Sequence, residues 1–230
     1  EHVLDLGCGS GLLTADLLAR LPGGRVTCVD LSANMLTAAR EELNDRFPRR
    51  VSFIRAEASQ LPFAAAFDAV FSTATFHWVP DHRALFAGIR IALVPGGRLV
   101  AQCGAMGNIE RFNRRCRELM RSRRFAVVFG EWDEAWRFPE SSETEALLTR
   151  AGFVDVRVGV EEAPVRFSDP EAFKSFVATA VVRGHLARLA TPGARSAFLD
   201  GLVEAGAASP DGLTLDYRRL NIEARRDRAN

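Results

Sequence analysis

The segment VLDLGCGSG at residues 3–11 leads from an apolar strand through three glycines into a helical pattern that runs to about Arg20. A strand that turns through glycines into a helix brings backbone N–H groups and the positive end of the helix dipole up to a ligand. Glycine is needed in such a turn because a Cβ atom would block the close approach of the backbone. The segment therefore predicts a ligand site just after the first strand.

The spacing of these glycines bears on which ligand is bound. Glycine-rich turns of this kind also bind dinucleotides, but here the pattern is G-x-G-x-G and not G-x-G-x-x-G, and Asp5 precedes it. A short-chain nicotinamide dehydrogenase would need a tyrosine and a lysine four residues apart. Tyr217 is the only tyrosine and Lys174 the only lysine, so this version of a dehydrogenase is excluded.

The pattern around this segment predicts an α/β protein. Strands alternate with helices over the first hundred residues, which is typical of a parallel sheet with helices on both faces. Alternating valines at 154–160 predict one later strand, and residues 213–222 are predicted to form a last one. Residues 107–138 and 170–206 are predicted to be helical. The predicted strands of the first half are Arg25–Val29, Val51–Arg55, Phe67–Ser72 and Arg98–Cys103.

Local signals predict several boundaries of these elements. Ser32 and Asp81 are predicted to be the N-caps of two helices. Ser142 with Glu145 predicts a capping box for a helix that ends at residues 151–152. Pro95-Gly96-Gly97 predicts a turn before the strand at 98–103.

Composition excludes several classes of protein. The chain is 47% hydrophobic and 26% charged, as in ordinary globular proteins, and its net charge of +1 is no reason to expect nucleic acid as a partner. The four cysteines lack zinc-ligand spacing, and no apolar run approaches the length of a membrane span. We therefore expect a cytoplasmic protein with reduced thiols and no membrane association. Because the chain enters a strand directly at Glu1, we also expect a segment upstream of it.

Three further segments accompany the glycine turn. They are Asp30 at the end of the second strand, AEASQLPF at residues 56–63, and FDAVFSTATFHWVPDH at residues 67–82 followed by LVPGGRLV at 93–100. In order and spacing, the four segments resemble the signatures of class I S-adenosylmethionine-dependent methyltransferases, closely over residues 2–104 and more loosely over 139–160.

The resemblance implies a Rossmann-like, doubly wound, mostly parallel seven-stranded sheet whose last strand is antiparallel, with helical cap insertions. It implies one methyltransferase domain over residues 1–230. Residues 1–104 would be its cofactor-binding half, and residues 105–138 and 167–208 a helical cap over the substrate site. The cofactor would be S-adenosylmethionine, converted to S-adenosylhomocysteine, and no metal is expected. In many members of the family an upstream helix closes over the cofactor.

The resemblance also assigns the cofactor contacts. Asp30 would accept hydrogen bonds from both ribose hydroxyls. Met35 would pack on the adenine, although a methionine there could equally belong to the core. Glu57, where the family commonly has aspartate, would accept from the adenine amino group, and the Ala58 N–H would face the ring. The remaining implied contacts are Asp5, Gly7, Cys8, Gly9, Gly11, Leu31 and Ser72.

The segment FHWVPDH, residues 76–82, is most similar to that of trans-aconitate methyltransferases and, less closely, of malonyl-carrier-protein methyltransferases. Both groups esterify carboxylates, so we predict methyl-ester formation on a small-molecule acceptor. Two alternatives stay open: C-, N- or O-methylation of a quinone precursor or other secondary metabolite, and a catalytically silent cofactor-binding regulator. Residues 72–75, STAT, lack the N/D-P-P-Y-type pattern of nucleic-acid amino-methyltransferases.

Several residues are candidates for contact with the acceptor. His77 would be a general base if the acceptor is a hydroxyl, whereas an ionised carboxylate needs no base. Trp78 and Trp132 are predicted to be pocket walls or packing residues. Arg111 and Arg115, which share a helix face, would bind an anionic acceptor or simply be solvated. The protein is expected to be a monomer or a homodimer. The basic cluster comprises Arg111, Arg114, Arg115, Arg117, Arg121, Arg123 and Arg124.

Overall fold

The computed structural model describes residues 1–132 and 136–228. The chain divides into two compact units. The first, here called the sheet unit, comprises Glu1–Met106, Trp136–Glu161 and Arg219–Asn230, and the second, the helical unit, comprises Gly107–Ala135 and Glu162–Arg218. The glycine turn and the three segments that accompany it all lie in the sheet unit. The prediction that residues 105–138 and 167–208 cover a substrate site stays a prediction.

Strands of the sheet unit form one mixed sheet in the order β3-β2-β1-β4-β5-β9-β6. In chain order the strands are β1 (His2–Leu6), β2 (Arg25–Asp30), β3 (Val51–Arg55), β4 (Phe67–Thr73), β5 (Leu93–Gly104), β6 (Phe153–Glu162), β7 (Val165–Arg166), β8 (Thr214–Leu215) and β9 (Arg218–Arg226). Strands β1 to β5 pair in parallel, and β9 runs antiparallel to β5. The predicted Rossmann-like, mostly parallel seven-stranded sheet with its last strand antiparallel is confirmed.

The order of the strands determines where a ligand can bind. From β1 the chain adds β2 and β3 on one side, and then crosses to add β4 and β5 on the other. In open α/β sheets, ligands bind in the crevice beyond the carboxyl ends of the strands at such a reversal. Here that crevice lies beyond the carboxyl ends of β1 and β4.

Helices connect the strands of the sheet unit and make up most of the helical unit. In chain order they are α1 (Leu12–Arg20), α2 (Ala33–Leu43), α3 (His82–Ala92), α4 (Glu110–Met120), α5 (Ala126–Phe129), α6 (Ser141–Arg150), α7 (Pro170–Phe176), α8 (Arg183–Arg188) and α9 (Pro192–Ala207). None of the helices in the described part of the chain combines the length and the apolar character that a membrane span requires.

Strand β1 shows why the sheet needs helices on both faces. Val3 belongs to the apolar cluster formed with α1 and α2, whereas Leu4 and Leu6 belong to the cluster formed with α3. Successive side chains of a strand point to opposite faces, so an apolar residue at almost every position requires cover on each side. The near-continuous apolar run at residues 3–6 is therefore the sequence of a fully buried central strand.

Two predicted caps are confirmed and two local predictions are wrong. Ser32 and Asp81 accept hydrogen bonds from the first turns of α2 and α3. Helix α6 begins earlier than predicted, with Glu140 as its N-cap and no side-chain capping bond, because the Thr144 N–H already reaches the Glu140 carbonyl. Residues 95–97 lie within β5, where the register against β4 shifts between Phe67 and Ala69, so the predicted turn is a bulge inside a longer strand.

The helical unit contains α4, α5, α7, α8 and α9 and the short antiparallel pair β7–β8. The helix predicted over 107–138 is present only as α4 and α5; residues 136–138 are not helical, and 133–135 lie outside the described residues. The strand predicted over 213–222 is broken at Asp216 into β8 and β9. The carboxylate of Asp216 accepts the N–H groups of Arg111 and Phe112 at the start of α4, which holds residue 216 out of the ladder.

The glycine turn supplies a prediction on stability. Gly7 has φ +79°, and a Cβ atom on it would fall 2.7 Å from the Cβ of Thr75 and still closer to its hydroxyl. We expect Gly7→Ala to lower the free energy of unfolding by about 2 kcal/mol or more, from the clash and the strained backbone together. Gly23→Ala is the matched control, since nothing lies within 4 Å of its Cβ position. Urea denaturation measures both, and equal midpoints for the two variants would contradict the account.

Candidate active site

A cavity of about 720 Å³ lies at the predicted crevice of the sheet unit. Its volume is in the range of pockets that enclose drug-sized ligands. It is lined by the ends of β1, β2 and β4 and by the segments that follow them and β3: Asp5, Leu6, Gly7, Cys8, Gly9, Ser10, Leu12, Leu13, Val29, Asp30, Leu31, Ser32, Ala56, Glu57, Ala58, Thr73, Ala74, Thr75, Trp78, Val79 and Pro80.

The glycine turn forms one side of the cavity. The N–H groups of Gly7 and Cys8 both donate to the Val29 carbonyl, at 2.7 and 3.0 Å, which ties the turn to the end of β2. Gly9 has φ +55° and open space where a Cβ atom would be, so its backbone is accessible to a ligand. Gly11 does not line the cavity; a Cβ atom there would meet Leu43 of α2 at 2.9 Å. Its lack of a side chain lets α1 pack close to α2.

Asp30 is held in place before any ligand binds. Its Oδ2 accepts the Gly9 N–H at 3.0 Å, and its Oδ1 accepts the Ser32 N–H at 2.8 Å. Two backbone amides therefore fix the carboxylate, while each oxygen keeps a lone pair for a further donor. Such a group can bind a pair of ligand hydroxyls with little loss of side-chain freedom.

Asp5 is the buried acid of the cavity. It is only 2% exposed, and its Oδ2 accepts the Thr14 hydroxyl at 2.6 Å. Burial raises the pKa of Asp5 to about 6; the negative charge of Asp30 adds to the rise, and the bond from Thr14 opposes it. The carboxylate is therefore ionised at neutral pH but would be stabilised by a cation. The pKa of the neighbouring Cys8 thiol is raised by its hydrogen bond to Cys28 and by burial, so it stays protonated.

Glu57 and Ala58 line the cavity beyond the end of β3. The Glu57 carboxylate accepts the Ser59 hydroxyl at 2.8 Å and the Gln60 side-chain amide at 3.2 Å, so residues within its own loop orient it. Leu31 lines the cavity beside Asp30 and is 61% exposed.

Two other predicted cofactor residues lie outside the lining. Met35 is half-buried on α2, and its N–H donates to the capping hydroxyl of Ser32. The buried hydroxyl of Ser72 donates to the Leu6 carbonyl at 2.7 Å and so joins β4 to β1 beneath the cavity. The contacts of Met35 and Ser72 with a cofactor stay predictions.

His77 also lies outside the lining of the cavity. Its Nδ1 accepts the Gly104 N–H at 3.3 Å, so in the neutral ring the proton is on Nε2. Burial, with a smaller contribution from the nearby His82, lowers the pKa of His77 to about 4. A ring with this pKa and with one nitrogen already engaged is a poor acceptor for a hydroxyl proton near neutral pH.

The arginines predicted to bind the acceptor are in the helical unit and have partners there. Arg111 forms ion pairs with Asp211 at 2.8 Å and Asp216 at 3.3 Å. Arg115 is 8% exposed and donates to the Ser209 hydroxyl at 2.8 Å. Both guanidinium groups therefore have partners within the protein. The prediction that Arg111 and Arg115 bind the methyl acceptor stays a prediction.

Trp132, also in the helical unit, is part of an aromatic cluster. Its ring lies edge-to-face with His185 at 4.9 Å, and the guanidinium of Arg188 lies over it at 4.7 Å. Trp78, in contrast, lines the cavity of the sheet unit and is 54% exposed.

Sequence reasoning missed several lining residues. Leu12 and Leu13 open α1 directly after the glycines, and residues 73–75 and 79–80 follow β4. Their position just beyond the carboxyl ends of two parallel strands was the signal that could have identified them. Thr75 is the most constrained, because its side chain occupies the space that a side chain on Gly7 would need.

The charges of the lining are all of one sign. In the part of the chain that the structure describes, it contains the carboxylates of Asp5, Asp30 and Glu57 and no arginine, lysine or histidine. Carboxylates around a largely apolar pocket favour a ligand that carries positive charge and hydroxyl or amino donors. Among the described residues, no three His, Cys, Asp or Glu side chains are grouped so as to hold a metal ion.

Several known proteins are similar in sequence to the part of the chain that forms the cavity. Residues 3–97 match a family model described as a methyltransferase domain. A malonyl-[acyl-carrier protein] O-methyltransferase of Geobacter sulfurreducens is 34% identical over 173 residues, which are 75% of this chain and 62% of that protein. A trans-aconitate 2-methyltransferase of Rhizobium meliloti is 40% identical over 98 residues, 43% of this chain and 36% of that protein. The chain thus spans less than two thirds of the length of either relative.

A solved structure shares the fold. Phosphoethanolamine N-methyltransferase 2 of Haemonchus contortus, in complex with S-adenosyl-L-methionine, aligns with a TM-score of 0.61 at 22% identity, over 99% of this chain and 49% of that chain. Residues 3–97 are thus similar in sequence to a methyltransferase-domain family, and the solved structure shares the Rossmann-like fold of the chain.

Proposed function

We propose that this protein transfers a methyl group from S-adenosylmethionine to a carboxylate oxygen of a small molecule, and so forms a methyl ester and S-adenosylhomocysteine. The observation that carries the proposal is the cavity beyond β1, β2 and β4. It combines an open glycine turn, the prearranged carboxylate of Asp30 and a lining whose charged side chains are all acidic.

The lining fits an adenosyl cofactor that is positively charged at sulfur. Asp30 would accept from the ribose hydroxyls, as its two-amide support allows. Glu57 would accept from the adenine amino group, with the Ala58 N–H and the apolar Leu31 beside the ring. Asp5, ionised above about pH 6, would stabilise positive charge in the cavity. When bound, this cofactor supplies an electrophilic methyl group.

A carboxylate acceptor suits the surroundings of His77. Such an acceptor is already ionised at neutral pH, because its ordinary pKa is about 4, so no side chain has to remove a proton. His77 is a poor base, because its pKa is about 4 and its Nδ1 is already engaged. A carboxylate acceptor does not require a base. The chain must supply orientation of the two reactants and exclusion of water. Both lower the activation barrier of a reaction in which an anionic carboxylate and a cationic sulfonium give neutral products.

The names of the relatives support the same acceptor. Malonyl and trans-aconitate groups both contain carboxylic acids. Methylation of a quinone precursor or other secondary metabolite, and a catalytically silent regulator, remain the alternatives. The cytoplasmic location, the choice between monomer and homodimer, and the expected lack of a metal, nucleic-acid or membrane partner stay predictions.

The direct test is transfer of labelled methyl from S-adenosylmethionine to a panel of carboxylic acids, acyl carriers, phenols and quinone precursors. We expect product with an acid, and we expect alkali to release its label as volatile methanol, as it does from a methyl ester. Alkali-stable product would contradict ester formation and favour the quinone-precursor alternative. Cofactor binding without any product would favour the regulator.

Asp30 provides a test of the cofactor site. We expect Asp30→Ala to weaken binding of S-adenosylhomocysteine about 100-fold in calorimetry, because two charge-assisted hydrogen bonds are lost. Asp30→Asn, which keeps one carbonyl oxygen, should have an intermediate affinity. Asp16→Ala is the control, since Asp16 is exposed on α1 and does not line the cavity. Unchanged affinity in a folded Asp30→Ala variant would refute this role.

His77 provides a test of the acceptor chemistry. The amide oxygen of Gln can still accept the Gly104 N–H, so we expect His77→Gln to lower kcat by less than about fivefold. With saturating cofactor, the rate should be flat from about pH 7 to 9, where a carboxylate is fully ionised. A loss of about 100-fold or more, or a rate that rises steadily with pH as for a hydroxyl acceptor, would contradict the proposal.

A further inference from the structure

The mouth of the cavity carries an unusual share of exposed apolar surface. Leu12, Leu13, Leu31 and Trp78 all line it, and they are 64%, 50%, 61% and 54% exposed. Single exposed apolar residues are ordinary, but several around one cavity mark a place where an apolar surface is bound. The mouth is therefore suited to a ligand with an apolar body.

Trp78 differs from the three leucines because other rings support it. The centroid of its ring lies 5.7 Å from that of Trp136, in an edge-to-face arrangement, and 5.4 Å from that of His77. The ring of Phe138 contacts both of them, with centroid distances of 5.7 Å to Trp136 and 5.6 Å to His77. Packing against neighbouring rings restricts the rotation of the indole, while half of its surface stays exposed at the cavity. A restrained, half-exposed tryptophan is a suitable platform on which a flat ring can stack.

The ring cluster beside Trp78 also contains a buried donor. Within the described part of the chain, the Nε1–H of Trp136 is buried without a hydrogen-bond partner. A buried donor without an acceptor is costly, so such groups in native structures call for an explanation. His77 adds a second N–H to this cluster, because its Nδ1 is engaged by Gly104 and its proton is on Nε2.

The charge of the lining limits how many carboxylates the acceptor has. Three acidic side chains and no cationic one line the cavity. A ligand with several carboxylates needs arginine or lysine partners, whereas a single carboxylate can be neutralised by the positive charge of the cofactor.

We propose that the acceptor is an aromatic monocarboxylic acid whose ring stacks on Trp78. This inference rests on the proposed function, because the carboxylate must meet the bound cofactor. In the reaction, a lone pair of the carboxylate oxygen forms a bond to the methyl carbon, and the carbon–sulfur bond breaks with its electrons going to sulfur. An anion and a cation thereby become a neutral ester and a thioether, with no proton transferred.

The test measures binding to protein loaded with sinefungin, a cationic analogue of S-adenosylmethionine that has no methyl group to transfer, so it does not depend on turnover and keeps the positive charge that the acceptor carboxylate needs. The probes are 2-naphthoate and its saturated analogue decahydro-2-naphthoate, which share charge and approximate shape but differ in aromaticity. By calorimetry, we expect 2-naphthoate to bind at least about tenfold tighter. Trp78→Leu should remove this difference, and Trp78→Phe, which keeps a ring, should retain most of it.

Controls separate this inference from the proposed function. Ile91→Ala removes another exposed apolar side chain of the sheet unit, outside the lining, and should bind both probes as the unmodified protein does. Affinity for S-adenosylhomocysteine should change by less than about threefold in Ile91→Ala, and it is measured separately in both Trp78 variants because Trp78 lines the same cavity. Failure of S-adenosylhomocysteine to bind the unmodified protein would overturn the proposed function itself.

With the cationic analogue bound, three results would overturn only the stacking inference. They are no saturable binding of 2-naphthoate, equal affinity for the two probes, and a loss in Trp78→Leu that Trp78→Phe does not restore. The first result would favour another occupant of the apolar mouth, such as a protein segment.

Discussion

At Gly7 the turn that follows β1 passes through a space that admits no side chain, and the rest of the site depends on this constraint. On one side the Val29 carbonyl accepts two of its N–H groups, and on the other Thr75 fills the volume beside Gly7. These contacts bring the ends of β1, β2 and β4 together. The turn thereby places Gly9 within hydrogen-bond distance of Asp30 and leaves an open cavity between the strands.

The charge of the cavity lining, as well as the cavity volume, determines which ligands can bind. Asp5 is buried under the turn at the cost of a raised pKa, and Asp30 is fixed by two amides above it. A cavity lined by acids is unfavourable when empty and is stabilised by a cationic ligand. The same field would repel an acceptor that carries many negative charges. The cofactor and the class of acceptor are therefore linked through the same few side chains.

The parts of the site that lie within one continuous segment could be predicted from the sequence. The glycine turn, Asp30, and Glu57 with Ala58 follow strands whose apolar patterns are clear, and all line the cavity. Residue type alone was a weaker guide for His77 and for the arginines of α4. A histidine near a sheet edge suggests a base, but burial and the Gly104 N–H lower its basicity. Arg111 has two acidic partners about one hundred residues away in the chain, and no local pattern predicts such pairs.

The sequence by itself determined the parallel α/β sheet, the order of its cofactor segments and the helix caps Ser32 and Asp81, because periodicity, glycine and capping residues act over a few neighbouring positions. Only the tertiary structure decided that β5 absorbs residues 95–97 as a bulge and that Asp216 interrupts the last strand. It also decided that exposed Leu12, Leu13 and Trp78 meet at one cavity. These outcomes depend on contacts between residues far apart in the chain, and burial, pKa and exposure are properties of such contacts.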